Sequence, residues 1–168
     1  REGWVAGLNQ LFPEYHFING GIQGDPLENI AARAIEANCR MEISVNIIYP
    51  GWHSRRRPSS VRETLDRMID LVPNAVLCTV FTSLNRKFIA RDMSHVFAAE
   101  SPFYFFGNWP YSPEAAKKIY SEITAQNDIV REVARERGAA CLDLFERFYN
   151  EDMNEFKRDF YDVCHLRI

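Results

Sequence analysis

No apolar run in the 168 residues approaches the roughly 20 that a membrane-spanning helix needs. No Cys-x-x-Cys pair occurs. The four cysteines, Cys39, Cys78, Cys141 and Cys164, are widely and irregularly spaced. A structural zinc site wants ligand pairs at short spacing, so none is expected. An excess of one charge sign is also missing. Twenty Lys and Arg face 23 Asp and Glu, for a net charge of −3. The longest basic run, Arg55-Arg56-Arg57, is too short to track a phosphate backbone, so nucleic acid is not an expected partner. Neither G-x-G-x-x-G nor G-x-x-x-x-G-K-[ST] is present, which disfavours the usual nucleotide folds. There are no repeats, no low-complexity stretches and no linker, so the chain reads as one domain.

What is present suits a globular domain. Hydrophobic residues make up 46% and charged residues 26%, enough for an ordinary core and against disorder. Cys78 and Cys141 lie inside apolar runs and read as buried thiols. Unpaired cysteines favour a reducing, cytoplasmic compartment. The sequence opens on Arg1 rather than Met, so no leader peptide can be read from it.

Helix-period and strand-like segments alternate. Trp4, Leu8 and Leu11 predict an amphipathic first helix, ended by Pro13. Tyr15 to Asn19 reads as a short strand running into the glycine-rich turn Gly20–Gly24. Asp25 as cap, Pro26 at the first helical position and Glu28 reaching back predict a second helix. Its apolar face is Leu27, Ile30, Ala31, Ala34 and Ile35. Ile43 to Tyr49 is a β-branched strand, followed by a loop over 50–58. Ser60 and Glu63 form a capping-box pattern, and the helix behind it buries Val61, Leu65, Met68 and Ile69. Ala75 to Phe81 reads as a strand covered on both faces. Residues 82–111 are irregular, with room for a helix over Arg91–Ala99. Ser112-Pro113-Glu114 opens the longest helix, to about Arg137, with Gly138 just past its end. Ala139 to Leu144 is the last strand. Strict alternation predicts an α/β fold with a parallel sheet. Sites in such sheets lie at the C-terminal strand ends, here the loops at 20–25, 50–58, 82–111 and 145–168.

Three patterns in those loops can carry chemistry. A carboxylate three residues before a histidine, Asp162-x-x-His165, can orient an imidazole and stabilise its charged form. A second such pair, Asp92-x-x-His95, sits in the 82–111 stretch, away from the last strand. Either can equally be a surface carboxylate near a solvated histidine. The turn Gly20–Asp25, between a strand and a helix, can expose backbone N–H groups to an oxyanion or phosphate. It can also be a tight connection that needs glycine. The loop Pro50-Gly51-Trp52-His53-Ser54 puts a His and a Ser at a strand end, where they can bind substrate or simply pack. The stretch Pro102–Tyr111 holds six aromatics in ten residues, fit to line a pocket or to fold onto the sheet edge.

Asn19-Gly20-Gly21-Ile22-Gln23-Gly24-Asp25-Pro26 resembles the second block of the SGNH (GDSL-type) hydrolase superfamily, N-x-G-x-x-G-D after a strand. Asp162-x-x-His165 resembles its terminal D-x-x-H block. Gly138 to Leu144 is similar to the strand before that block. The resemblance implies a flavodoxin-like three-layer α/β/α sandwich with a five-stranded parallel sheet. It implies an ester hydrolase without metal or organic cofactor, acting on a small-molecule or carbohydrate ester. His165 would be the general base, Asp162 its orienting acid, and Gly21 a backbone donor to the oxyanion hole. His53 stands where the family's G-x-N-D block has its Asn, and an imidazole N–H could donate in its place. Trp52 and Trp109 are the loop aromatics set at a substrate. The family's Gly-Asp-Ser block, which brings the nucleophile at the end of the first strand, does not occur in these residues. Nor does the helix that follows D-x-x-H. The first strand would lie between segments 15–19 and 43–49, so its absence would leave two edges unpaired. These residues are therefore expected to belong to a longer protein that carries the Ser. Ser54, Ser83 and Ser101 lack the strand–turn–helix elbow of a nucleophile and read as loop serines. Two alternatives stay open: a catalytically inactive SGNH-like binding or interaction domain, and a flavodoxin-like flavin or nucleotide binder using the Gly20–Gly24 turn.

Overall fold

A proline and an asparagine shape the first segment of the fold. The computed structural model describes residues 4–22, 24–82 and 113–149. Helix α1 spans Trp4–Leu11 and stops ahead of Pro13, which cannot extend it. Tyr15–Asn19, expected as a strand, forms no ladder. Its central residue is held by a side-chain amide instead. Asn9 on α1 accepts from the Phe17 N–H at 2.9 Å and donates to the Phe17 carbonyl at 3.1 Å. Strand character needs a neighbouring backbone to pair with, and here one amide takes that place.

Helix α2 (Leu27–Arg40) starts one residue later than its punctuation predicts. Pro26 is the N-cap, in an extended conformation, and gives the helix end no side-chain cap of its own. The Asp25 carboxylate is drawn instead to Arg33 and to Asn29 Nδ2, at 3.2 Å from the latter. A guanidinium is a stronger partner than a neutral backbone N–H. Helix α3 (Pro58–Leu71) starts earlier than its Ser60 pattern predicts, because Pro58, with its preset φ, occupies the first turn. Ser60 therefore falls inside the helix and donates its hydroxyl to Glu28 on α2. Helix α4 (Pro113–Arg137) is the longest among the described residues. It ends as the sequence predicts, with Gly138 at φ +65° and the Ala139 N–H returning to the Ala134 carbonyl at 2.9 Å.

Strands β1 (Asn46–Ile48), β2 (Ala75–Cys78) and β3 (Ala140–Leu142) form a parallel sheet in the order β1-β2-β3. Ile48, Leu77 and Cys141 stand in register across it. The fold is α/β, as the alternation predicts. The short helix α5 (Leu144–Arg147) follows β3 directly.

The core lies between the sheet and helices α2, α3 and α4. Leu27 and Ala31 of α2, Val61, Leu65 and Met68 of α3, and Val130, Val133 and Ala134 of α4 meet Ile48, Ala75 and Leu77. Leu65, Met68, Leu77, Val130 and Val133 are fully buried, and burying each one stabilises the fold by about 1.5–3 kcal/mol. The predicted apolar faces of α2 and α3 are the ones that pack. Cys141 corrects the expectation of burial: it is exposed, because β3 lies at the edge of the described sheet and all its residues are exposed. Of the three described strands only β2 is central, and burial there pushes the Cys78 thiol up to about 11, away from nucleophilic chemistry. Among the described residues no helix is long and apolar enough to cross a membrane.

Candidate functional site

Two loops carry the candidate residues among those described. β1 exits through Tyr49-Pro50 into Gly51, whose φ of +75° suits glycine. A 3-10 turn over Trp52–Arg56 follows. Several contacts fix that turn. Ser54 Oγ donates to the Pro50 carbonyl at 2.8 Å. Gln126 Nε2, on α4, donates to the Gly51 carbonyl at 3.2 Å. Trp52 Nε1 donates to the Phe81 carbonyl at 3.3 Å, just beyond β2. Arg55, only 4% exposed, caps the Trp52 ring at 4.8 Å and pairs with Glu122 at 3.2 Å. A buried guanidinium over an indole, paired with a carboxylate, holds the turn rigidly. His53 stays exposed on it. Trp52 is 9% exposed; its ring supports the turn and offers little surface to a ligand.

The second loop is the Asn19–Asp25 turn, of which Gln23 lies outside the described residues. The Gly21 N–H donates to Asn19 Oδ1 at 3.0 Å. Arg33 Nε donates to the Gly20 carbonyl at 3.1 Å and its fork pairs with Asp25. The hydrogen bond from Asn29, with Arg33 beside it, keeps the Asp25 carboxyl below its ordinary range.

One bond joins the first of these loops to the start of α2. Ser54 Oγ accepts from the Leu27 N–H at 3.2 Å. Between the start of α2, the 3-10 turn and the start of α3 is a cleft of about 350 Å³ lined by Pro26, Leu27, Glu28, His53, Arg57 and Ser60 among others. The hydrogen bond from Ser60 holds the Glu28 carboxyl below its ordinary range, with Arg57 adding to it. The cleft thus offers an imidazole, a guanidinium, a carboxylate and a hydroxyl beside the first turn of α2. That set can bind a polar ligand and neutralise developing negative charge.

A third constellation was not legible in the sequence. Asp143, at the end of β3, accepts from Thr79 Oγ1 at 2.8 Å and from Arg131 Nε at 2.8 Å and Nη2 at 3.1 Å. It also accepts from the Glu146 N–H at 3.2 Å, and the Phe145 N–H donates to Thr79 Oγ1 at 2.8 Å. Burial raises the Asp143 carboxyl, but Arg131, Thr79 and the Glu146 backbone outweigh it, so the net direction is down. The local signal was Asp143-x-x-Glu146, a cap pattern directly after a strand. This network fixes where the backbone leaves β3.

Of the residues read as functional, His53 and Trp52 fall on the loop that the Ser54–Leu27 bond ties to α2, and Gly21 falls on the turn that precedes that helix. Asp162, His165 and Trp109 lie outside the described residues, as do Asp92, His95, Ser83 and Ser101. Ser54 is a structural tether. Among the described residues no three His, Cys, Asp or Glu side chains gather as a metal cage.

The sequence matches no protein-family model and no curated protein. Its structure is similar to a solved one. The crystal structure of LAE5, described as an alpha/beta hydrolase enzyme from the metagenome of Lake Arreo, Spain, superposes with a TM-score of 0.65. The match covers 98% of this chain and 74% of that one, at 16% identity. At that identity the likeness shows the fold alone: this chain shares the α/β architecture of that protein.

Proposed function

We propose that these residues form an ester-hydrolase domain of the SGNH (GDSL-type) kind. The observation that supports the reading is the Ser54–Leu27 bond, which ties the Gly51–Ser54 loop at the exit of β1 to the helix that follows the Asn19–Asp25 turn. That loop and that turn are the two positions from which the resemblance draws its oxyanion donors. The hydrolase-like fold supports it at a coarser level.

In this reading a serine from outside these 168 residues attacks the ester carbonyl. His165 takes the serine proton and passes it to the departing alcohol, with Asp162 orienting the imidazole. Water, deprotonated by the same histidine, then releases the acid and restores the serine. The Gly21 N–H and the His53 imidazole stabilise the oxyanion. For that, Gly21 exchanges Asn19 Oδ1 for the oxyanion, a charged and therefore stronger acceptor. The side chains of Glu28, His53, Arg57 and Ser60 on the cleft suit a small-molecule or carbohydrate ester. The reading needs no metal or organic cofactor, and the cysteines suit the cytoplasm.

The occupied Gly21 N–H and the histidine at the expected Asn position favour a second reading, a catalytically inactive domain that binds such ligands. Turnover of p-nitrophenyl acetate by the full-length protein and its His165→Ala variant separates the two. Turnover lost in the variant supports the esterase. Equal rates sink the role of His165, and no turnover by either favours the binding domain.

A further inference from the structure

We propose that Asn19 is a site of spontaneous deamidation, a chemical ageing site built into the Asn19–Asp25 turn. Asn19 is the only asparagine in the sequence followed by glycine. Both residues are exposed. The Gly20 carbonyl is held by Arg33, but its amide nitrogen has no partner among the described residues. A Cβ built at Gly20 would meet nothing within 4 Å, so the backbone there has room to move. Glycine also lacks the side chain that would shield its nitrogen. The Gly21 N–H donates to Asn19 Oδ1 at 3.0 Å, which draws electron density from the amide carbonyl and leaves Cγ more electrophilic.

The reaction follows from that geometry. The Gly20 nitrogen loses its proton to hydroxide and attacks Asn19 Cγ. A bond forms between that nitrogen and Cγ, the bond from Cγ to Nδ2 breaks, and ammonia leaves. Water then opens the succinimide at one carbonyl or the other, giving aspartate or isoaspartate at position 19. The other described asparagines are restrained. Asn46 is 7% and Asn127 0% exposed. Asn9 lies within α1, and Asn29 and Asn38 within α2, where the helix fixes the next amide. Asn74 precedes β2, and its Nδ2 is held on the Ser44 carbonyl at 3.0 Å. Deamidation puts a carboxylate where the Gly21 N–H now meets a neutral amide. The aspartate form holds that N–H more tightly, and the isoaspartate form adds a methylene to the backbone of the turn.

The test is peptide mapping of the intact protein after incubation at mildly alkaline pH. The peptide containing Asn19 is expected to gain about 1 Da and to split into two forms, one methylated by a protein isoaspartate methyltransferase. Conversion should quicken as pH rises. Gly20→Ala should slow it several-fold, and Asn19→Gln should abolish it. An unfolded synthetic peptide of residues 15–26 serves as reference. If the peptide converts while the folded protein does not, or if Gly20→Ala ages at the wild-type rate, the proposal fails. Conversion led by another asparagine also overturns it.

Discussion

Ser54 and Leu27 lie 27 positions apart in sequence, yet the Ser54 hydroxyl accepts the Leu27 N–H at 3.2 Å. The same oxygen donates to the Pro50 carbonyl at 2.8 Å. One small hydroxyl thus ties the exit of β1 to the first turn of α2. Helix N-termini leave their first N–H groups without intrahelical partners, and the Pro26 cap position supplies none to α2. Ser54→Ala leaves that buried N–H unsatisfied. The expected loss is about 1–3 kcal/mol in urea unfolding, with the slope of the transition unchanged.

Glu122→Ala is expected to cost about 1–3 kcal/mol, because it removes one carboxylate paired with the buried Arg55 guanidinium. Removing Arg62, whose partners Glu132 and Glu136 are about half exposed, should leave stability almost unchanged. Thermal unfolding of the two variants side by side checks the contrast.

Asp143 makes stability depend on pH. Its folded carboxyl lies below the unfolded value of 3.8. The stabilisation is therefore complete above that value and is lost as pH falls through the folded one. Asp143→Asn should be less stable than wild type near neutrality, and the gap should narrow in acid. Urea midpoints measured from about pH 6 down to about pH 3 give the comparison. A gap that widens in acid contradicts the assignment.

His53 separates a donor role from a packing role. If its imidazole N–H stabilises an oxyanion, His53→Ala should lower kcat on p-nitrophenyl acetate by about 100-fold. His53→Asn, which restores an N–H donor, should recover much of it. Because His53 is exposed, neither change should move the unfolding midpoint appreciably.

Much of this architecture can be read from periodicity. The apolar faces of α2 and α3, the end of α4 at Gly138, and the centres of the three strands follow from spacing and punctuation. So does the placing of the Gly51–Ser54 loop at the exit of β1. The misread details are those decided by distant partners. Asp25 and Ser60 look like local caps, but Arg33 and Glu28 compete for them. Cys141 lies in an apolar run, but its strand is at an edge. Tyr15–Asn19 has the composition of a strand, but pairing, not composition, makes one. The joint at Ser54 and the Asp143–Arg131 pair are non-local, so no motif announces them. The legible part of the site is its position; the illegible part is the set of bonds that holds it.

The bond between Asn9 and Phe17 also bears on behaviour at high concentration. Extended backbone with free N–H and C=O groups can template growth by another molecule. Here Ile18 is 60% and Tyr15 63% exposed, so the flanking side chains would favour such stacking. Asn9 occupies both backbone groups of Phe17 at the middle of that stretch. A single amide thereby withholds the middle of that stretch from pairing with another backbone, through a polar residue near the end of α1.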